Sequence, residues 1–376
     1  MKALVNGRIF ADQRWLDDQA LLIEEDRITG LAPLNAVPAG YEEEDLEGDR
    51  LLPGFIDIQV NGGGGILLND AKSIDDLQKI IAAHRQYGTT GMLPTLITDS
   101  WDRMQDVAAL IREAITIGMP GILGIHFEGP YLNAERKGVH NPAMIRAVDE
   151  GFFKMVTAGD LGAVVVTLAP EKVPLDIIRK LSTSGVHVSA GHSAVGYEEA
   201  KVAMAAGLKG VTHLYNGMPP MESRNPGLIG AALTASDCYC GVIVDGHHVH
   251  PGTLKATIAA KGADRIFLVT DAMSSVGTEM SRFQLGETKI KIEGGKLTTE
   301  DGILAGSNLD MASAVRNTVS LLGQTFEDAV NMATSVPAHF LGQKHKRGSI
   351  KAGYQADLIR VDEDMKIIKS WIAGRS

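Results

Sequence analysis

Between residues 51 and 342, short apolar runs alternate with segments of helical spacing, and the alternation repeats eight times. The runs are Gly54–Gln59, Gly91–Leu96, Ile122–Phe127, Ala163–Leu168, Val186–Ala190, Gly210–His213, Cys240–Val244 and Ile266–Thr270. Continuous Val, Ile and Leu mark strands buried on both faces, as in parallel sheets. Between the runs, Ile74, Leu77, Ile80, Ile81 and His84 share one helical face, behind the capping pair Ser73 and Asp76. Met104, Val107, Ala108, Ile111 and Ile115 repeat the spacing. Ser193 is expected to cap a helix that stops near Gly207. Eight such units predict an α/β fold of the TIM-like (β/α)8 class. A doubly wound sheet is the competing arrangement, and the placement of the chemically active residues argues against it.

The ends of the chain read differently. Ala3–Val5, Ala20–Ile23 and Arg27–Thr29 are strand-like, and Asp357–Val361 and Ile367–Ile372 resume that pattern. The expectation is a small β-sandwich domain built by both termini, residues 1–50 and 343–376, with a barrel of residues 51–342 inserted between them. The chain of 376 residues is long enough for both, and 44% hydrophobic residues supply a large core. A net charge of −10 argues against a nucleic-acid partner. No stretch is long and apolar enough to span a bilayer, and Met1–Val5 has no signal-peptide core, so no membrane association and a cytoplasmic location are expected. Cys238 and Cys240 are the only two cysteines and read as buried free thiols of a reduced compartment.

In a barrel, chemistry sits at the C-terminal ends of the strands. Those ends carry Gln59-Val60-Asn61, His126-Phe127-Glu128, Gly191-His192-Ser193, Thr212-His213, Asp245-Gly246-His247-His248 and Thr270-Asp271. Packing alone does not explain titratable groups at one end of so many strands. Glu128, His192 and His213 would converge on the barrel axis. Two imidazoles and a carboxylate suit a catalytic divalent metal with a position left open for water. Taken singly, His192 also reads as a cap and His213 as a core histidine. Asp271 reads either as a loop cap or as a proton shuttle, the carboxylate that takes a proton from attacking water and returns it to a leaving amine.

These motifs, together with Pro53-Gly54-Phe55-Ile56-Asp57, Glu128-Gly129-Pro130-Tyr131, Thr212-His213-Leu214-Tyr215-Asn216, Val269-Thr270-Asp271-Ala272 and the tail Gly348–Gly353 with Ala356-Asp357-Leu358, resemble the amidohydrolase superfamily. Within it they resemble the N-acetylglucosamine-6-phosphate deacetylase family, and the resemblance runs over nearly the whole chain. It implies metal-dependent hydrolysis of the N-acetyl group to give acetate and glucosamine 6-phosphate, in amino-sugar recycling. Many amidohydrolases carry His-x-His after strand one; here Gln59 and Asn61 stand there. A neutral amide is a poor ligand beside imidazole, so one divalent ion is expected, Zn2+ first and Fe2+ or another divalent ion as alternatives.

The resemblance also assigns contacts. Asp271 and His140 are the catalytic residues, with His140 donating to the developing oxyanion. Gln59, Asn61, Val139, His140, Asn216, Gly217, Arg224, His248, Leu304, Ala305 and Gly306 are the substrate-binding positions. Arg224 matches a phosphate-binding arginine contributed by a neighbouring subunit, which implies a homodimer. Whether His247 or His248 faces the substrate, and whether residues 274–281 form a mobile lid, stay open at this level. A deaminase or cyclic-amide hydrolase on the same barrel is the nearest alternative. A non-catalytic scaffold is the other, and the full set of ligands and Asp271 speaks against it.

Overall fold

A computed structural model describes residues 1–376. Eight parallel strands form one sheet in strict sequence order: Phe55–Val60, Thr89–Ile97, Gly124–Glu128, Ala163–Leu168, His187–Ala190, Gly210–Val211, Tyr239–Val242 and Ile266–Leu268. All eight fall on the apolar runs, within a few residues at each end. Their side chains are almost wholly buried and share one core with the surrounding helices. That burial on both faces is why the runs carry no polar alternation.

The end of the first strand meets the segment just beyond the last strand. Asp271 N–H donates to Gln59 O at 2.9 Å, and Asn61 N–H donates to Ala272 O at 2.9 Å. Asp57 adds a side-chain tie, accepting from Thr270 Oγ1 at 2.5 Å. This seam brings Gln59, Asn61 and Asp271 side by side.

The helix Ile74–Arg85 starts as its sequence predicts, with Ser73 Oγ accepting from Asp76 N–H. The cap expected at Ser193 does not form. The helix there is Tyr197–Ala205, preceded by Gly196 with no side-chain cap. Ser193 instead donates its hydroxyl to Glu171 at 2.6 Å and accepts from Val195 N–H at 3.1 Å. Its pairing with the half-buried Glu171 carboxylate outcompetes the local capping role.

Strands from both chain ends share a five-stranded sheet. Arg50–Pro53 lies between Leu358–Val361 and Arg8–Ala11, and Ile367–Trp371 and Arg14–Leu16 form the edges. A four-stranded sheet faces it, made from Lys2–Val5, Gln19–Glu24, Arg27–Pro33 and Glu42–Asp45. Leu4, Ile9, Leu21, Leu51, Leu358 and Trp371 fill a separate core between them. Arg50–Pro53 belongs to this sheet, so the barrel begins only at Phe55.

One element inside the barrel region was not anticipated. Arg282–Leu285, Thr288–Glu293 and Lys296–Thr299 form an antiparallel meander after the eighth strand. Gly294 and Gly295, at φ of 56° and 82°, make the second of its two-residue turns, the chemistry such a hairpin requires. The stretch 274–281 is not uniformly open: Ser274, Ser275 and Val276 are buried, and Ser275 Oγ donates to Asn308 at 2.7 Å. Cys238 and Cys240 are free and buried, and no helix is long and apolar enough to cross a membrane.

Candidate active site at the C-terminal mouth of the barrel

Glu128 ends the third strand; His192, His213 and Asp271 follow the fifth, sixth and eighth. His192, His213 and Asp271 sit at φ of 48°, 31° and 51°. Left-handed backbone costs a non-glycine residue about 1–3 kcal/mol and persists where the surroundings over-determine it. Here the turn aims each side chain back over the barrel axis.

The three expected ligands converge. His192 Nε2 lies 3.0 Å and His213 Nε2 2.9 Å from Glu128 Oε1, and the two imidazole nitrogens are 3.1 Å apart. His192 Nδ1 donates to Arg136 O at 2.8 Å, so its Nε2 is the lone-pair nitrogen. His213 Nδ1 is buried without a partner. Burial pushes the Glu128 carboxyl up, but the close approach of the His192 and His213 imidazoles outweighs it and holds it well below the usual range. Burial likewise opposes protonation of His213, and the Glu128 carboxylate overrides it, raising the imidazole. Lewis-basic atoms gathered this closely, all buried, fit a divalent cation between them.

His140 belongs to the same cluster: its ligand atoms and those of Glu128 and His192 lie within 4.8 Å of one another. Its Nδ1 faces Thr98, with the backbone N–H at 3.3 Å and the hydroxyl at 3.0 Å. Burial, with the neighbouring His192, pushes His140 down to about 3, so the ring is neutral at pH 7. Thr98 faces His140 Nδ1, and His213 Nε2 lies 2.9 Å from Glu128 Oε1, so Glu128, His192 and His213 form a candidate ligand set beside the grouping of Glu128, His140 and His192.

Asp271 is buried beside this cluster. Its Oδ1 accepts from Asn61 Nδ2 at 2.7 Å and Gln59 Nε2 at 3.1 Å. Gln59 Nε2 also approaches Glu128 at 3.4 Å. The two amides standing where other amidohydrolases place histidines therefore act as donors to carboxylates. Burial, and then the charge of Glu128, push the Asp271 carboxyl up. A carboxylate raised in this way is a better proton acceptor.

A cavity of about 430 Å³ opens above these groups. Asn61, Val139, His140, Asn216, Gly217 and His248 line it, as do Leu304 and Gly306. Three expected contacts do not. Gln59 lies under Asp271 and Glu128, 1% exposed. Ala305 is wholly buried in the apolar cluster behind the meander. Arg224 is exposed on a loop outside the cavity. Of the paired histidines, His248 lines the cavity: its Nδ1 bonds to Asp245 Oδ2 at 2.6 Å, which fixes the ring. Asp245 also accepts the backbone N–H groups of His247 and His248 at 2.8 and 2.9 Å, while His247 is exposed. Gly138, Met273, Lys296, Gly302 and Ile303 line the cavity without having been expected there. Met273 was within reach of sequence reasoning, two residues past Asp271; the meander residues were not, because their hairpin was not recognised.

Comparison with known proteins agrees with this geometry. Residues 50–376 match the amidohydrolase family, and residues 1–51 match the NagA composite domain. The chain belongs to the amidohydrolase family, an enzyme family built on a metal-dependent barrel. A curated N-acetylgalactosamine-6-phosphate deacetylase of Shewanella sp. strain ANA-3 is 46% identical over 88% of this chain and 83% of its own. The crystal structure of N-acetylglucosamine-6-phosphate deacetylase from Pasteurella multocida superposes with a TM-score of 0.95, at 34% identity, over 99% of this chain and 98% of that one. A mutant of the Mycobacterium smegmatis enzyme in complex with N-acetyl-D-glucosamine-6-phosphate follows at a TM-score of 0.91 and 30% identity, covering 100% and 98%. Within the amidohydrolases, this chain belongs with the deacetylases of N-acetylated amino-sugar 6-phosphates.

Proposed function

We propose that this chain hydrolyses the N-acetyl group of N-acetylglucosamine 6-phosphate, releasing acetate and glucosamine 6-phosphate. The observation that carries the reading is the convergence of Glu128 Oε1, His192 Nε2 and His213 Nε2 within 3.1 Å of one another, beside the buried Asp271. A divalent cation held by those three atoms supplies Lewis acidity toward the acetyl carbonyl and water. Zn2+ is the ion the donor set suits best, and Fe2+ accepts the same ligands.

The chain's own residues supply the rest. Asp271, its Oδ1 held by Asn61 and Gln59, takes the proton from the attacking water. It then returns a proton to the amine nitrogen as the C–N bond breaks, so one carboxylate serves both transfers. The His140 tautomer that accepts the Thr98 N–H at Nδ1 carries its proton on Nε2. From there the neutral ring donates to the carbonyl oxygen as it gains charge. His248, oriented by Asp245, and the backbone of Asn216 and Gly217 hold the sugar phosphate. Arg224, exposed and outside its own chain's cavity, reaches the phosphate of a partner's substrate in a homodimer. The enzyme works in the cytoplasm, in keeping with its buried free thiols.

A second reading has a specific observation behind it. The Shewanella relative at 46% identity is named for the C4 epimer, N-acetylgalactosamine 6-phosphate. Acetate release from both epimers by the metal-loaded enzyme separates the two. A kcat/KM at least tenfold higher for the glucosamine epimer supports the first reading, and the reverse supports the second. Turnover of neither returns the substrate to other cyclic or linear amides.

A further inference from the structure

We propose that Lys296, at the tip of the 282–299 meander, is a phosphate-binding residue supplied by the same chain that carries the metal ligands. The inference rests on the reading that the substrate is a sugar phosphate.

The cavity is chemically lopsided. Its buried floor holds two carboxylates, Glu128 and Asp271, in a chain of net charge −10. A phosphate dianion entering it needs local positive charge to offset that field. Among the residues that line the cavity, Lys296 is the single Lys or Arg. Arg224, the other candidate, does not reach the cavity of its own chain. Lys296 is exposed and lines the cavity, which places it at the rim, whereas the two carboxylates are buried.

The meander is placed to hold it there. Phe283, Leu285, Ile290 and Leu297 are buried against Ile97, Met273 and Ala305, and Val139 packs on the same cluster. Ile97, Val139 and Met273 themselves line the cavity, so the hairpin is fastened to the wall of the site. Its Gly294–Gly295 turn then folds Lys296 toward the loop after the seventh strand. A Cβ at Gly295 would lie 3.8 Å from His247 Nε2, next to the substrate-facing His248. Lys296 is also free to bind an anion. Glu293, opposite it across the turn, is paired with Lys291 at 2.5 Å, and Lys296 has no ion-pair partner. A lysine contributes a compact charge on a flexible stem, suited to following a phosphoryl group at a rim.

The test uses full-length, metal-loaded enzyme and compares wild type with K296Q and K296R, on the sugar 6-phosphate and on the unphosphorylated sugar. K296Q is expected to raise KM for the phosphorylated sugar roughly tenfold, the effect of one charged contact, with kcat changed less than twofold. K296R should recover most of that loss. Neither variant should alter kcat/KM for the unphosphorylated sugar. Added NaCl should raise KM more steeply for wild type than for K296Q. An unchanged KM in K296Q, while wild type still discriminates strongly for phosphate, overturns the role of Lys296 alone. An equal loss on both sugars assigns Lys296 to holding the hairpin and also overturns it. Wild type that treats both sugars alike overturns the phosphorylated substrate itself, and Lys296 with it.

Discussion

At the scale of single residues, the site is built from groups that are costly to place. Glu128 is buried among apolar strand ends, and His192, His213 and Asp271 occupy left-handed backbone. Such expense marks chemistry in a sequence: a carboxylate or imidazole at the end of an apolar run has little packing to recommend it. That is why the ligand candidates and Asp271 were legible without coordinates. Lys296 was not, because an exposed lysine costs nothing and leaves no trace in composition or spacing. Gln59, expected as a substrate contact, lies outside the cavity lining for a related reason. Its position matched a substrate contact, but its amide is drawn under the site by Asp271 and Glu128. If Asp271 moves both protons, Asp271→Asn keeps the shape, the metal and the substrate while kcat falls by roughly 10²–10⁴-fold. Steady-state kinetics with metal analysis of the purified variant checks this, and near-normal kcat would remove Asp271 from that role.

At the scale of elements, the eight strands were readable because parallel strands buried on both faces must be continuously apolar. Helix starts were less reliable. Ser73 caps as expected, whereas Ser193 is captured by Glu171, a partner 22 residues away that no local pattern reveals. The meander escaped because the alternating Lys289-Ile290-Lys291-Ile292 lies inside the 51–342 span assigned whole to a barrel of strand–helix units. The third strand shows how tightly the sheet positions the site. A Cβ on Gly124 would lie 1.9 Å from Ala163 O, backbone of the neighbouring strand that cannot swing aside. Gly124→Ala is therefore expected to cost about 2–3 kcal/mol and to disturb Glu128, four residues on. Urea denaturation measures the first and metal affinity the second. A variant within about 0.5 kcal/mol of wild type, the range of a neutral surface change, would show that the two strands have room to separate.

At the scale of the whole molecule, both termini return to one sheet, and Arg50–Pro53 leads from it directly into the first barrel strand. The apolar strand patterns at the two ends were visible in the sequence. Their pairing was inferred from economy, since long-range register has no local signature. The same limit applies between subunits: Arg224 lies on the surface of its own chain, and only an assembly would give it a phosphate to hold. On the proposed reading, one buried cluster, Glu128, His192 and His213, makes this barrel a metal-dependent hydrolase of an acetylated sugar phosphate. The most direct measurement is acetate release from the sugar 6-phosphate before and after stripping metal with a chelator, and again after adding back one equivalent of Zn2+. Loss on stripping and recovery at one equivalent is the predicted result. Release that continues at the original rate from metal-free, folded protein would contradict it.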